Sequence, residues 1–590
     1  MKKSTQIIGT MAIGIFLCML DTTVMNIALP AMQTGLATSL AQLSWALNIY
    51  TILFASLTIP LGRLADIYGR TRLYMIGLGL FIMGSLVSGL AVSVGWLIAG
   101  RGLQSLGAAI VFPASMTIGI QSVSAAKRVN AIAILGTTQG LATALGPTIG
   151  GAVTQFFSWR GIFLINVPLA LVAFGLCWWL LPHQSVRTTT EKLDWAGSLL
   201  SMLTLFSLTL VLVKGSDWGW TSTTIIGLSL TCVAALVGFI WTEAHVAQPM
   251  IPLALFRDRQ FTGAALATVL SGVFFVALPV LLPSFFTKVQ GKTELLAALM
   301  ISPASLMIFI FSPISGFMLN KIGPRLVLLS GTIAIISGYV WLAHLDPNQY
   351  WQLLIVLVLV GMGYGIIIGP VTVLAAGDFT GKLLTASQSV IGVFRQIGTS
   401  LAVAIFVSAL STNLVTAKQQ IWHNAQTDVA TLTVSAKAKR DTLHQIKTQL
   451  AAEKVTTRAN QPAISAAKTK RLVQQNYMAV LKQQHLQTAP AKVRDQVHQQ
   501  VQRQVIKTVA NDNRQIAGVV TKVKANTKTE MTTAFMRPYR LAMPVTVLMV
   551  VLVVCFKRRR DYFRQSVQSV ESEATNENPD YLRSSVSEKL

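Results

Sequence analysis

Residues Gly62–Arg72 read GRLADIYGRTR and join two long apolar runs. A similar loop follows a later apolar run, where Gly316–Arg325 reads GFMLNKIGPR. Both loops contain a glycine, a few residues with a polar group among them, and a second glycine with basic residues. The recurrence predicts two parallel halves with the same order of helices, as in membrane proteins whose repeats are related by an axis along the membrane normal.

The composition of the whole chain is that of a polytopic membrane protein. Of its 590 residues, 52% are hydrophobic and only 12% are charged, whereas soluble proteins average about 25% charged residues. A helix that crosses about 30 Å of hydrocarbon needs roughly 18–25 apolar residues. Fourteen runs meet this length, at 7–29, 43–61, 73–92, 96–119, 131–155, 161–181, 193–213, 222–241, 260–285, 295–319, 327–344, 351–374, 385–410 and 539–556. We therefore predict an all-α polytopic membrane protein with fourteen spans.

Basic residues in the short loops orient these spans. Clusters at Arg63, Lys127, Arg257, Lys321 and Lys557 fall on one side if the helices alternate across the membrane. The positive-inside rule makes that side cytoplasmic, so we expect both termini in the cytoplasm and the chain in the cell membrane. The segment 411–536 is then extracellular, which the rule allows because it counts only loops of up to about 60 residues.

The spans and the repeated loops divide the chain into six predicted parts. Spans 1–6 and 9–14 form the two halves, and spans 7 and 8 form an inserted hairpin. In chain order the parts are an N-terminal six-helix half (1–181), a linker with spans 7 and 8 (182–259), spans 9–13 of the C-terminal half (260–410), an extracellular helical insertion (411–536), span 14 (537–556) and a cytoplasmic tail (557–590).

Four further motifs lie on the predicted spans. They are LDTTVMNIALP (Leu20–Pro30) in span 1, RGLQSLG (Arg101–Gly107) in span 4, GLATALGPTIGG (Gly140–Gly151) in span 5 and WRGIFLINVP (Trp159–Pro168) at span 6. Together with the first loop, they resemble the motifs of the major facilitator superfamily, and in particular its fourteen-span drug:proton antiporters. The resemblance covers about 1–410 and 539–556. It implies a major facilitator fold of two six-helix halves, here with an inserted two-helix hairpin and an extra helical extracellular segment.

Asp21 is a charged residue in the middle of span 1, where a charge costs at least about 2.5–3.5 kcal/mol on insertion scales. Arg101, near the start of span 4, is its expected partner because spans 1 and 4 are neighbours in the fold that the chain resembles. A nearby arginine favours the carboxylate form and burial disfavours it, so Asp21 can bind or release a proton as a cavity opens and closes. We predict that Asp21 and Arg101 couple transport to protons. The alternative is a static charge pair that fixes helix packing.

Two motifs are interpreted as conformational elements. Asp66 can bind the positive N-terminal end of a neighbouring helix, and with Gly62, Gly69 and Arg70 it forms a predicted latch between two states; a solvated turn is the alternative. In span 5, a Gly-Pro pair bends the helix and several glycines allow close helix approach. By resemblance this motif marks antiport, and ordinary small-residue packing is the alternative. Its residues are Gly140, Gly146, Pro147, Gly150 and Gly151.

Aromatic and amide residues inside the spans are candidates for a substrate cavity, because aromatic faces bind lipophilic cations. They are Asn26, Trp45, Asn48, Tyr50, Phe54, Gln139, Phe274 and Phe275, and helix packing is the alternative for each. Three charged residues are secondary candidates. Glu294 at the start of span 10 and Asp378 after span 12 could take a cation or a proton. Arg395 in span 13 is expected to serve packing or to bind carbonyl groups, since spans 9 and 13 contain no acidic residue that could pair with it.

The segment 411–536 is mostly polar and rich in Gln, Ala, Lys and Val. Valines recur every four residues from Val493 to Val509, which indicates helix, and Pro462 and Pro490 would end helices. We predict three amphipathic helices near 412–458, 463–487 and 491–528, folded as a bundle or a hairpin; a half-disordered basic loop is the alternative. The segment is expected to contact anionic envelope material or a partner, or to cap the exit.

The sequence argues against several other classes of protein. It has no phosphate-binding G-x-x-x-x-G-K loop, no metal-ligand cluster, no catalytic triad and no nucleic-acid motif, so we expect no enzyme activity, cofactor, metal or nucleic acid. We predict a proton-coupled exporter of lipophilic, often cationic compounds, with protons, these compounds and membrane lipids as partners. A transporter of lipids or envelope precursors is the alternative. A structural or sensory protein on an inactive transporter fold is the third hypothesis.

Overall fold

The computed structural model describes residues 2–181, 193–377, 379, 381–451 and 464–559, and every regular element in these ranges is a helix. The first helices are α1 (Lys2–Gly35), α2 (Leu40–Tyr68), α3 (Arg70–Gly89), α4 (Val94–Gln121), α5 (Ala125–Phe156), α6 (Gly161–Leu164) and α7 (Asn166–Leu180). They are followed by α8 (Trp195–Trp218), α9 (Thr223–His245) and α10 (Ala254–Arg257). The remaining helices are α11 (Arg259–Lys288), α12 (Glu294–Ile322), α13 (Pro324–His344), α14 (Tyr350–Ala376), α15 (Gly381–Ala430), α16 (Ala436–Ala451), α17 (Ala466–Gln483), α18 (Ala491–Thr546) and α19 (Leu548–Leu552), with a 3₁₀ turn at Val553–Cys555.

Thirteen helical stretches in the described ranges are long and apolar enough to cross a membrane. The all-α polytopic class predicted from the sequence is therefore confirmed. The predicted span 131–155 is not among the thirteen, although it is helical and forms most of α5. Its threonines and glycines lower its hydropathy, and it packs between α1 and α12. Contact with other helices on two sides explains why this helix does not need a fully apolar surface.

The repeated loops Gly62–Arg72 and Gly316–Arg325 have the same backbone geometry at their second glycine. Gly69 lies between α2 and α3 with φ of 96°, and Gly323 lies between α12 and α13 with φ of 85°. A positive φ is readily adopted only by glycine, so each glycine ends one helix and starts the next. This is the structural counterpart of the repeated Gly-basic pattern.

The repeat continues into the helix packing. α2 and α3 pack on α4, and α12 and α13 pack on α14. A Cβ built on Gly107 would lie 2.5 Å from the Gly77 carbonyl oxygen, and a Cβ built on Gly363 would lie 2.6 Å from the Gly331 carbonyl oxygen. Both pairs therefore bring two helix backbones together at positions that only glycine can occupy. The equivalent contacts indicate that the halves share one arrangement.

The helices α8 and α9 pack on each other, and α8 also packs on α2. Near the end of α8, the Lys214 ammonium donates to the Ser44 hydroxyl at 2.9 Å and to the Asp217 carboxylate at 2.8 Å. The predicted inserted hairpin is thus attached to the first half through α2. Residues 182–192 of the predicted linker lie outside the described residues.

The chain separates into two compact units, and the second comprises Ser284–Lys292 and Ala409–Pro538. This second unit buries apolar side chains of its own, among them Ile421, Val473, Leu481, Val509 and Phe535. Polar contacts also link its helices. The Ile464 amide donates to the Asn513 side chain at 2.9 Å, and Lys522 pairs with Asp428 at 2.6 Å.

The predicted helix 412–458 is wrong as a single element. In the structure α15 continues from the predicted span to Ala430, and α16 begins only at Ala436. The break falls at Thr431–Val434, where three of the four residues are β-branched and lose side-chain rotamer freedom in a helix. Ser435 then caps α16, because its hydroxyl accepts from the Ala438 amide at 3.2 Å. Part of the predicted helix, 452–458, lies outside the described residues.

Candidate functional site

The Asp21 side chain is completely buried in α1. Its Oδ2 atom accepts a hydrogen bond from Nη1 of Arg101 in α4, so the two side chains form a buried ion pair. Arg101 is only 1% exposed. The structure therefore brings together the two residues that the sequence analysis paired.

Two amides complete the surroundings of the Asp21 carboxylate. Its Oδ1 atom accepts from Nε2 of Gln104 at 3.2 Å and from Nδ2 of Asn166 at 3.1 Å. Both amides are fully buried. Both residues lie within motifs noted in the sequence, but neither was among the predicted site residues. Their only signal in the sequence is a polar side chain inside an apolar helix, where a buried amide needs hydrogen-bond partners.

Arg101 makes several contacts besides the ion pair. Its Nε donates to the Ala46 carbonyl at 3.2 Å, and its Nη1 donates to Oε1 of Gln104 at 3.1 Å. The guanidinium carbon lies 4.3 Å from the ring centroid of Tyr50 and 5.8 Å from that of Phe163. Aromatic faces attract cations, so the guanidinium keeps favourable contacts if the carboxylate is neutralised. The aspartate is thus the member of the pair that can change its charge.

The glycine motif of α5 lies against α1 close to Asp21. A Cβ built on Gly146 would lie 1.9 Å from Oγ1 of Thr23, and a Cβ built on Gly150 would lie 2.5 Å from the Val24 carbonyl oxygen. Two other glycines of the motif face α12 in the opposite half. A Cβ on Gly140 would lie 2.6 Å from Ile308, whereas a Cβ on Gly151 would make an ordinary contact at 3.4 Å with Leu295. Pro147 lies inside the helix between these faces.

The loop motif connects the end of α2 to the opposite half through Arg70. Its Nε donates to the Asp66 carboxylate at 2.7 Å, its Nη2 to the Thr385 hydroxyl at 2.8 Å, and its Nη1 to the Gln121 side chain at 2.5 Å. Thr385 lies four residues after the start of α15. A Cβ built on Gly62 would lie 3.0 Å from the Ser389 hydroxyl. The predicted latch residues therefore meet the beginning of α15, with Arg70 making the bond to it.

The eight cavity candidates do not gather at one place. Tyr50 and Phe54 are fully buried and stack on each other at 6.1 Å beside Arg101. Trp45 instead packs on Trp218 of α8, with ring centroids 6.0 Å apart.

The remaining candidates are distributed as follows. Phe274 packs edge-on against Tyr339, and Phe275 stacks on Tyr364 with ring centroids 4.4 Å apart. Gln139 is buried and contacts the Met116 sulfur at 3.2 Å. Asn26 is exposed and Asn48 is partly buried. Helix packing thus accounts for the contacts of Tyr50, Phe54, Trp45 and Phe274.

The secondary charged candidates lie apart from the Asp21 site. Glu294 is an exposed residue in the first turn of α12, where its charge complements the positive end of the helix. Asp378 lies outside the described residues. Arg395 is partly buried in α15, and its Nε atom is buried without a hydrogen-bond partner among the described residues.

A helical bundle with two equivalent repeats and a charge pair buried between its spans defines an integral membrane protein of the secondary-transporter class. Residues 11–403 match the family model of the Major Facilitator Superfamily, and the chain belongs to this superfamily. Members of this superfamily are transporters rather than enzymes.

Several curated relatives resemble the same part of the chain. One is the multidrug resistance protein Stp of Mycobacterium tuberculosis (strain CDC 1551 / Oshkosh), with 32% identity over 69% of this chain and 76% of Stp. A second is the methylenomycin A resistance protein of Bacillus subtilis (strain 168), with 28% identity over 67% of this chain and 85% of the relative. A third is the fatty acid resistance protein FarB of Neisseria gonorrhoeae, with 28% identity over 67% of this chain and 78% of FarB.

Proposed function

We propose that the protein is a proton-coupled exporter of lipophilic, often cationic small molecules. The observation that carries this proposal is the completely buried Asp21 carboxylate, held by Arg101, Gln104 and Asn166 from two other helices. A buried acid in a membrane helix commonly marks an ion or proton pathway. The relatives named for multidrug and methylenomycin A resistance support export of small molecules.

The charge state of Asp21 provides the coupling. As a carboxylate it pairs with Arg101 and accepts from both amides; as a neutral acid it no longer balances the guanidinium. Protonation from outside therefore weakens the tie between α1 and α4 and favours the conformation from which the proton leaves inward. A cationic compound and a proton compete for the same negative charge, so binding of one excludes the other. Alternation of the two occupants gives antiport.

The α5 glycines and the Arg70 contacts supply the mechanical elements. Gly146 and Gly150 let α5 pack against α1, while Gly140 lets the same helix approach α12. Rocking of the halves about this region would separate Arg70 from Thr385 at the end of the bundle. A bond that forms in one conformation and breaks in the other acts as a latch, because it contributes free energy to one state only.

The proposed orientation places both termini in the cytoplasm of a cell membrane and 411–536 outside. The segment 411–536 contains 19 lysines and arginines against 6 aspartates and glutamates. An excess of positive charge attracts anionic surfaces. Anionic envelope material is therefore the partner that this segment fits.

A transporter of lipids or envelope precursors is the second candidate function. The similarity to FarB, which is named for fatty acid resistance, favours it. Both candidates use the same two halves and the same Asp21 site, so they differ in the compound carried rather than in the coupling.

The experiment that tests the first proposal is ethidium transport into inverted membrane vesicles with an imposed pH gradient. Asp21→Asn removes the titratable group but keeps the shape and one acceptor oxygen. Transport driven by the gradient should be lost, while ethidium exchange across the vesicle membrane without a gradient should continue.

Asp217→Asn is the matched control, because the Asp217 side chain is 59% exposed and pairs only with Lys214 of its own helix among its described contacts. This variant should transport ethidium as the unchanged protein does. Normal gradient-driven transport by Asp21→Asn would refute the role of Asp21 in coupling.

A further inference from the structure

A second intramembrane arginine, Arg395, lies in the C-terminal half and has no acidic partner in the part of the chain that the structure describes. It is fourteen residues into α15, which is about 21 Å along a helix and therefore far from the start of the span. No carboxylate pairs with it among the described residues, and its buried Nε atom has no hydrogen-bond acceptor there. Arg101, by contrast, uses its guanidinium on Asp21, Gln104 and the Ala46 carbonyl. An arginine cannot lose its proton in a protein, so the charge of Arg395 calls for a partner from elsewhere.

The face of α15 that carries Arg395 is directed at the opposite half. Gln388, Gly392 and Arg395 follow one another at intervals of four and three residues, which places them on one side of a helix. A Cβ built on Gly392 would lie 2.8 Å from the Phe112 ring of α4, so this side meets the N-terminal half. Arg395 is one turn further along the same side, which places it on the side of α15 that faces the N-terminal half.

Gln388 supplies a second unused donor on this face. Its side chain is 3% exposed, and its Nε2 atom has no hydrogen-bond partner among the described residues. Buried donors in native proteins are normally satisfied. Two such donors on one side of a helix indicate that an acceptor occupies the space at some stage of the transport cycle.

An aromatic pair of α11 and α14 lies in the neighbourhood of Arg395. The Tyr364 ring of α14 stacks on Phe275 of α11 at 4.4 Å with an angle of 7° between the planes. Tyr364 is 6% exposed and Phe275 is 3% exposed, so this surface is apolar and largely dry. It can contact the hydrocarbon part of a compound whose polar group reaches the guanidinium.

We propose that Arg395, with Gln388, binds the carboxylate of lipophilic anions between the two halves, and that such anions are among the exported compounds. A carboxylate fits because the planar guanidinium donates two parallel hydrogen bonds to it. The proposal rests on the exporter function proposed above and adds a class of compound that Asp21 does not bind, because one carboxylate repels another. The two charged sites divide the substrates by sign: Asp21 serves cations and Arg395 serves anions.

The test compares two probes with the same dodecyl tail and opposite charge, laurate and dodecyltrimethylammonium. Their affinities are measured on the purified full-length protein in detergent, without a gradient. Arg395→Gln should weaken laurate binding by about tenfold to a hundredfold, because a hydrogen bond to a charged group contributes about 1.5–3 kcal/mol. It should leave dodecyltrimethylammonium binding within about twofold of the unchanged protein. Arg395→Lys should bind laurate with intermediate affinity, since it keeps the charge without the planar pair of donors.

Arg259→Gln is the matched control, because Arg259 is an exposed arginine at the start of α11 in the same half. It should change neither affinity. Equal weakening of both probes by Arg395→Gln would show a structural role, and unchanged laurate binding would exclude the site. Ethidium transport by the unchanged protein separates this proposal from the coupling mechanism: if ethidium is not transported, the exporter proposal fails, whereas the laurate comparison still tests Arg395.

Discussion

The Asp21 site contains charged residues and neutral amides, and the two kinds differ in how much they cost inside a membrane span. Asp21 and Arg101 could be paired from the sequence, because a charge in an apolar helix is costly and few partners are available. Gln104 and Asn166 could not be selected, since neutral amides cost less in a span and occur there for many reasons. Only the structure shows that their Nε2 and Nδ2 atoms converge on the same carboxylate oxygen. The charged part of the site was predictable from the sequence, and the amide part was not.

The two amides should differ in their effect on stability. Gln104 donates to both Asp21 and Ser85 and also accepts from Arg101, so Gln104→Leu should lower the free energy of unfolding by about 1.5–3 kcal/mol. Asn166→Leu should cost less, because the buried Oδ1 atom of Asn166 has no hydrogen-bond partner among the described residues and leucine removes that unpaired group as well. Unfolding in mixed detergent micelles measures both changes.

A double-mutant cycle tests whether the Asp21 carboxylate is responsible for the stability cost of Gln104→Leu. In the Asp21→Asn background the cost of Gln104→Leu should fall, since the acceptor is no longer charged. If Asn166→Leu were the more costly change, or if the cost of Gln104→Leu were the same in both backgrounds, the described hydrogen bonds would not be the ones that stabilise the site.

Helix α5 shows how one element serves two neighbours. Two glycines of its motif face α1 and two face α12, so packing on both neighbours holds this helix in the bundle. The sequence predicted this helix as an apolar run long enough to cross a membrane. It did not predict that α15 continues past 410 into the polar segment, or that α18, which begins at 491 as predicted, continues into the last predicted span, because a change from apolar to polar residues alters the surroundings of a helix without breaking it. Helix ends need a capping residue, a proline or a mostly β-branched stretch such as Thr431–Val434.

Two adjacent glycines of α5 provide a matched comparison. Gly150→Ala places a methyl group 2.5 Å from the Val24 carbonyl oxygen, whereas Gly151→Ala places one at an ordinary 3.4 Å from Leu295. Overpacking against another backbone costs about 1–3 kcal/mol. We therefore expect Gly150→Ala to lower the unfolding temperature and the rate of ethidium export, and Gly151→Ala to change both only slightly.

Both substitutions replace a helical glycine by alanine, so the gain in helix propensity is the same for each. The measurement is thermal unfolding of the purified protein together with export from vesicles. Equal behaviour of the two variants would mean that the contact between α5 and α1 is not as close as described.

Across the whole molecule, the repeated loop was the most informative part of the sequence. Gly69 and Gly323 each adopt a positive φ, and Gly77 and Gly331 follow them at the same interval in the next helix. The two-half architecture was therefore predictable from one short pattern that occurs twice. The interior of the second compact unit was less predictable, because its polar helices lack the strong hydropathy signal that marks a membrane span.

Cysteine labelling can test the orientation proposed for the molecule. All four native cysteines are buried or partly buried, so a variant without them provides an unreactive background. Gln475→Cys introduces a thiol at an exposed position of α17, and Ser124→Cys introduces one at the exposed loop residue before α5. Within the described ranges the Ser124 side chain makes no capping hydrogen bond, so its replacement should not disturb the helix. A membrane-impermeant maleimide added to intact cells should label the Gln475→Cys variant. The Ser124→Cys variant should react only after the membrane is permeabilised. We expect this result because the positive-inside rule predicts that the basic short loops, including the one that contains Ser124, lie in the cytoplasm. Labelling of the Ser124 variant in intact cells would place those loops outside and would reverse the direction in which Asp21 takes up its proton.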